Sequence, residues 1–257
     1  MTDYPITDYD DAYANGAHIA GAADYPPRWT GMAQAFRERL SDAGRARLDL
    51  GYGPAPRNQL DLFLPEGEAK GLAVFVHGGY WKAFDKSLWS HLAAGPLAHG
   101  FAVAMPSYTL CPDIRIAGIA GEIAAAVSFA AGEIAGPIRL TGHSAGGHLV
   151  TRMISGTPLL PEAVLERVAG VTSISGVHDL RPLRQTEMND TLKIDSAEAQ
   201  SESPVLLTPL AAIPVTAWVG AAERSEFVRQ NRALYEMWRG FETPMRIHED
   251  AGKHHLT

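Results

Sequence analysis

The pentapeptide Gly142-His143-Ser144-Ala145-Gly146 has the form G-x-S-x-G, and its flanks give that form a chemical meaning. Pro137 to Thr141 reads as a short buried strand and Ala145 to Ser155 as a helix. A tight strand-to-helix turn between them would lift the Ser144 hydroxyl out of a sheet as a reachable nucleophile. Backbone N–H groups at the start of the helix would point toward whatever that oxygen attacks. A second apolar stretch, Gly71 to Val76, runs into His77-Gly78-Gly79-Tyr80-Trp81. Glycines at 78 and 79 let the main chain approach a substrate closely. The N–H groups of Gly79 and Tyr80 are expected to converge with that of Ala145 on a developing oxyanion. Each such donor is worth about 3–4 kcal/mol to a transition state.

A serine is a weak nucleophile unless a histidine takes its proton, and that histidine needs an acid to orient it. Where the chain order is serine, acid, histidine, both partners follow later strands. Glu223 sits where the strand ending at Val219 gives way to a helix starting near Ser225. Asp179, after the strand ending at Ser175-Gly176, competes for the same role. Glu226 lies one turn into the helix and reads as a charge favoured at a helix N-terminus. Of the 10 histidines, only His248, His254 and His255 follow Glu223. His248 falls within the last predicted strand, and His255 is favoured over its neighbour His254 as the base. His143 and His148 flank the nucleophile and are expected to line or buttress the turn.

Adjacent histidines lack the i, i+4 geometry of helical zinc ligands, so no metal is expected. The single cysteine, Cys111, rules out an internal disulfide and fits a reducing compartment. It reads as a packed or loop thiol rather than a nucleophile. A net charge of −7 with no basic cluster argues against nucleic-acid binding. The start, Met1-Thr2-Asp3-Tyr4-Pro5, lacks a signal-peptide pattern, and no apolar run approaches the ~18 residues needed to span a bilayer. The expected location is the cytoplasm, with no membrane partner.

The elements that must position these residues follow from periodicity. A chain of 257 residues suits a single domain over 1–257. The first 45 residues read as an N-terminal extension in which Tyr25-Pro26-Pro27 breaks the chain before a helix over 32–40. Two alternating stretches, 47–52 and 59–64, predict an antiparallel hairpin. From residue 71 the rhythm is strand and helix in turn. Strands are predicted at 71–77, 101–105, 137–142, 168–175, 213–219 and 244–249. Helices are predicted at 86–99, 114–133, 145–155 and 225–239. This α/β alternation implies a mostly parallel sheet covered on both faces, with its site beyond the carboxyl ends of the strands. The polar stretch over about 178–210 is too long for a simple connection and reads as a small helical cap insertion over that rim.

The chain resembles the kynurenine formamidases (arylformamidases) of the α/β-hydrolase fold and the esterases nearest them, over nearly its whole length. His77-Gly78-Gly79-Tyr80-Trp81 is similar to that group's H-G-G-x-W signature, and residues 142–149 to its G-H-S-A-G-x-H-L turn. The stretches 175–183 and 189–204 are similar to family segments in the cap region. Val219 to Phe227 resembles the acid loop, with Glu223 standing where the family usually has aspartate. His255 matches the family histidine, followed here by Leu256 rather than phenylalanine. The resemblance implies a serine hydrolase that needs no cofactor and cleaves an aryl formamide of the N-formylkynurenine kind. Ser144, Glu223 and His255 would be catalytic, and Gly78, Gly79, Tyr80 and Ala145 would form the oxyanion hole. Tyr80, Trp81 and His143 would contact substrate. Alternatives are a carboxylesterase for short-chain acyl esters and a hydrolase-fold binding protein without turnover. The family also implies a homodimer and, beyond Thr257, a closing helix.

Overall fold

A computed structural model of the chain describes residues 5–210 and 212–257; Met1 to Tyr4 of the acidic start lie outside the described residues. In chain order the helices are α1 (Tyr9–Tyr13), α2 (Tyr25–Asp42), α3 (Ala94–Ala98), α4 (Ile116–Glu133), α5 (Ala145–Arg152), α6 (Glu162–Leu165), α7 (Asn189–Leu192), α8 (Ser196–Ser201) and α9 (Ser225–Trp238). The strands are β1 (Ala46–Gly51), β2 (Gln59–Phe63), β3 (Leu72–Val76), β4 (Ala102–Pro106), β5 (Ile138–His143), β6 (Val168–Ile174), β7 (Val215–Gly220) and β8 (Met245–Asp250). They form one 8-stranded sheet in the order β1-β2-β4-β3-β5-β6-β7-β8. The β1–β2 and β2–β4 pairs are antiparallel, and every pair from β4 to β8 is parallel. This is the α/β-hydrolase fold.

The sheet's centre is covered on both faces, which is why β3 and β4 read as unbroken apolar runs. Ile119, Ile123 and Val127 of α4 pack into one core cluster with Leu72, Val74 and Leu140 of the sheet. On the opposite face, Phe36 and Leu40 of α2 join Ala73, Val103, Trp89 and Leu97. Helix α4 is itself 18 residues long with a mean hydropathy of 1.3. The expectation that no apolar run has spanning length therefore does not hold. The helix owes its apolarity to the core, with half of it buried there.

Two local expectations are corrected. Tyr25-Pro26-Pro27 does not break the chain: α2 starts there, with proline in the first turn where no N–H is required. The helix expected over 86–99 is a 3-10 helix, Lys86–Ala93, followed by the short α3. Pro96, inside α3, lacks the N–H that would bond back to the Leu92 carbonyl, so the α-helical ladder does not extend from the 3-10 segment into α3. The 178–210 segment contains α7, α8 and the 3-10 turns Pro182–Gln185 and Pro204–Leu206. It is fastened to α4 by Arg115 with Glu198 and to α5 by Arg152 with Glu202.

Candidate active site

At the end of β5, Ser144 adopts φ 56° and ψ −116°, a conformation that costs a non-glycine residue about 1–3 kcal/mol. Its neighbours hold it there. The Ser144 N–H donates to the Ile174 carbonyl at 2.8 Å. A Cβ on Gly142 would strike the Gly146 carbonyl, and one on Gly146 would strike that of Val76. Both glycines are thus required by close approach, and the serine alone carries a side chain at the apex. Ala145 opens α5, so its N–H has no acceptor within the helix.

The 77–81 loop lies directly against this turn. A Cβ on Gly78 would sit 3.0 Å from Ser144 Cβ and 2.9 Å from the His143 carbonyl oxygen. Gly79, Tyr80 and Trp81 all have positive φ (110°, 47° and 55°), a sharp local reversal of the main chain. Among the described residues, the N–H groups of Gly79 and Tyr80 donate to no protein acceptor. The loop is tied down elsewhere. Tyr108 donates to the His77 carbonyl at 3.1 Å and Cys111 N–H to that of Trp81 at 2.8 Å. The Tyr80 hydroxyl donates to the Tyr13 carbonyl at 2.7 Å.

After β7 and β8 the chain brings Glu223 and His255 together: Nδ1 of His255 is 2.7 Å from Oε2 of Glu223. The other carboxylate oxygen accepts from Ser175 Oγ at 2.5 Å and from the Gly220 N–H at 2.9 Å. Burial alone would raise the Glu223 pKa, but these hydrogen bonds, that with His255 foremost, leave it below the ordinary value. Asp179 goes elsewhere. Its carboxylate takes two bonds from Arg181, at 2.8 and 3.0 Å, and faces Arg229 at 3.7 Å. Of the two terminal-loop histidines, His254 meets Tyr25, its Nε2 being 3.3 Å from the hydroxyl.

His143 places the serine turn beside this pair, its ring centroid 4.6 Å from that of His255. Burial, and then the neighbouring His255, push the His143 pKa down to about 3, so it stays neutral. His148 is fully buried beneath the turn, with Nε2 2.6 Å from the Glu202 carbonyl oxygen. Trp81, expected in a substrate wall, is fully buried and edge-on to His148. Its inward course follows from the backbone reversal at residues 80 and 81. Tyr80 remains partly exposed, edge-on to Phe227, whose ring in turn meets His255 at 4.6 Å.

Sequence reasoning missed the N-terminal contribution. Tyr13 is buried edge-on to Phe227, and its hydroxyl donates to Glu226 at 2.7 Å. Glu226 is therefore a buried anchor for α1 as well as a charge in the first turn of α9. Asp11 pairs with Arg224, next to Glu223. No periodicity over residues 9–25 signals such long-range contacts. A hollow of about 220 Å³ also opens beside His143 and His255, walled by Trp29, Trp89 and Leu256, but Ser144 does not line it. Two larger hollows of about 640 Å³ flank α2 and hold none of these residues. Among the described residues no cluster of histidine, cysteine, aspartate and glutamate is arranged to hold a metal ion.

Comparison with known proteins bears on this arrangement. The BD-FAE family model matches residues 60–213. The kynurenine formamidase of Danio rerio is 28% identical over 210 residues, covering 77% of this chain and 71% of that protein. A crystal structure from Silicibacter sp. TM1040, described as a candidate thioesterase, is 55% identical with a TM-score of 0.91. It covers 97% of this chain and 92% of that one. A carbohydrate esterase from gut microbiota shares the fold at a TM-score of 0.67 and 17% identity, over 82% of this chain and 89% of that one.

Proposed function

From the premise that this chain belongs to the BD-FAE family and is a hydrolase, we propose a serine hydrolase with Ser144 as nucleophile, His255 as base and Glu223 orienting it. The observation that carries the reading is the 2.7 Å bond between His255 Nδ1 and Glu223 Oε2. With the Nδ1 proton held by the carboxylate, Nε2 is the basic nitrogen left to take a hydroxyl proton. A buried carboxylate kept ionised by three donors also stabilises the imidazolium that forms in the transition state.

The substrate class we assign is an aryl formamide of the N-formylkynurenine kind, supported by similarity to the kynurenine formamidases. Ser144 Oγ bonds to the formyl carbon while His255 Nε2 takes its proton. The tetrahedral oxyanion is held by the N–H groups of Gly79, Tyr80 and Ala145, with Gly78 letting the loop lie against the serine. Collapse breaks the C–N bond, and His255 gives its proton to the departing aryl amine. Water then attacks the formyl-serine, losing one proton to His255; that proton returns to Ser144 as formic acid leaves and gives up its remaining proton to solvent as formate. Tyr80 and His143 are the assigned substrate contacts beside the turn. A second reading, cleavage of short-chain esters or thioesters by the same steps, is favoured by the 55%-identical relative described as a candidate thioesterase.

Specificity constants for formanilides, short-chain aryl esters and acyl thioesters, measured with wild type and Ser144→Ala, test both readings. Formanilides should lead the panel, and Ser144→Ala should lower every rate by at least about 10³-fold. Equal rates for the two proteins, with no labelling of wild type by a fluorophosphonate, would end the serine mechanism.

A further inference from the structure

We infer that Ser175 is a positioning residue, whose hydroxyl fixes the rotamer and charge of the carboxylate that orients the base. The inference rests on the serine-hydrolase reading above and concerns how a glutamate serves at this place. Glutamate has one more rotatable bond than aspartate, so its head needs more than one tether to present a single oxygen to an imidazole. Here Oε1 accepts from Ser175 Oγ at 2.5 Å and from the Gly220 N–H at 2.9 Å, which leaves Oε2 for His255.

The backbone makes the same point. Ser175 follows the last residue of β6 and has φ +52°, in the left-handed region that glycine enters at little cost. Its N–H is fixed to the Trp218 carbonyl at 2.6 Å, and the residue is buried. Glycine would accept that conformation more easily, so what the serine adds is its hydroxyl. The reversal cannot pass to the next residue with a side chain in place, because a Cβ on Gly176 would collide with Ser173 Oγ and the His178 ring. His143 and Tyr80 also lie in the field of Glu223, and the adjacent Arg224 is matched by Asp11. Burial keeps the first two uncharged, lowering His143 to about 3 and raising the Tyr80 phenol far above its usual range. Neither supplies a competing charge.

The test compares Ser175→Ala and Ser175→Gly in the full chain. Ala removes the hydroxyl at a strained position, whereas Gly removes it and relieves the strain. Both should lower kcat by about ten- to a hundredfold with KM within about twofold. The acid limb of the kcat/KM profile, set by protonation of the base, should move to higher pH, because a carboxylate that has lost a donor concentrates more negative charge at Oε2 against the imidazole. In both variants the low-field proton resonance of the His255–Glu223 hydrogen bond should shift or broaden. A Ser175→Gly variant with wild-type kcat, an unmoved acid limb and an unchanged resonance overturns the inference, whatever Ser175→Ala does. Should wild type turn over no acyl substrate, the hydrolase reading falls. The resonance in the two variants then decides the role of Ser175 by itself.

Discussion

Glu223 and Asp179 are both buried carboxylates at the ends of neighbouring strands, yet their partners give them different work. Glu223 accepts from His255, Ser175 and Gly220, while Asp179 is matched by Arg181 and Arg229. Replacing Glu223 with Gln keeps the shape but removes the charge that fixes the imidazole tautomer. Turnover should fall by about 10³-fold or more, with the protein still folded by circular dichroism. Asp179→Ala should do the reverse, lowering the melting temperature while leaving kcat/KM within a few-fold. Since Asp179 touches two arginines and no part of the His255 pair, equal losses from both variants would contradict this division. The Glu223 pKa lies below its ordinary value, so the stability it lends is present above the unfolded carboxylate value. That stability is lost as pH falls through the lower, folded value.

At the scale of elements, the turn between β5 and α5 works because two glycines accept contacts that any side chain would block. Gly146→Ala would drive a Cβ into the Val76 carbonyl of β3. The backbone there cannot retreat without opening the sheet. The expected outcome is loss of soluble folded protein, or a melting temperature reduced by many degrees, rather than a purely kinetic defect. The N-terminal segment is a second such element. Tyr13 is buried against Phe227, and its hydroxyl bonds Glu226 and Gln230. Tyr13→Ala should destabilise by roughly 3–5 kcal/mol in denaturant titration. It should also loosen the 77–81 loop, since Tyr80 is tied to the same segment. Little of this was legible in residues 9–25, whose composition is small and polar. Their anchors lie more than two hundred positions away.

For the whole molecule, the interior holds four histidines kept neutral mainly by burial. His77 and His148 are lowered to about 4, and His143 and His178 to about 3. Unfolded, each would take up a proton near pH 6.5, so the unfolded state binds more protons between the folded values and that pH. Stability therefore rises with pH across that window, by up to about 1.4 kcal/mol per unit for each histidine. Melting temperature should fall steadily as pH is lowered from 6.5 toward 4, and His178→Gln should flatten the curve. A profile unchanged over that range would contradict the neutral assignment.

The sequence by itself determined what depends on near neighbours. The strand and helix rhythm, the hairpin of β1 and β2 and the glycine-flanked serine all rest on periodicities and backbone tolerances acting within a few residues. Only the tertiary structure decided what depends on segments far apart in the chain. It chose Glu223 over Asp179 as the partner of His255, sent Trp81 into the core and laid the N-terminal segment against α9. The physical reason is range: a glycine's freedom is local, whereas a hydrogen bond across 32 residues exists only once the sheet has set the distance between two loops.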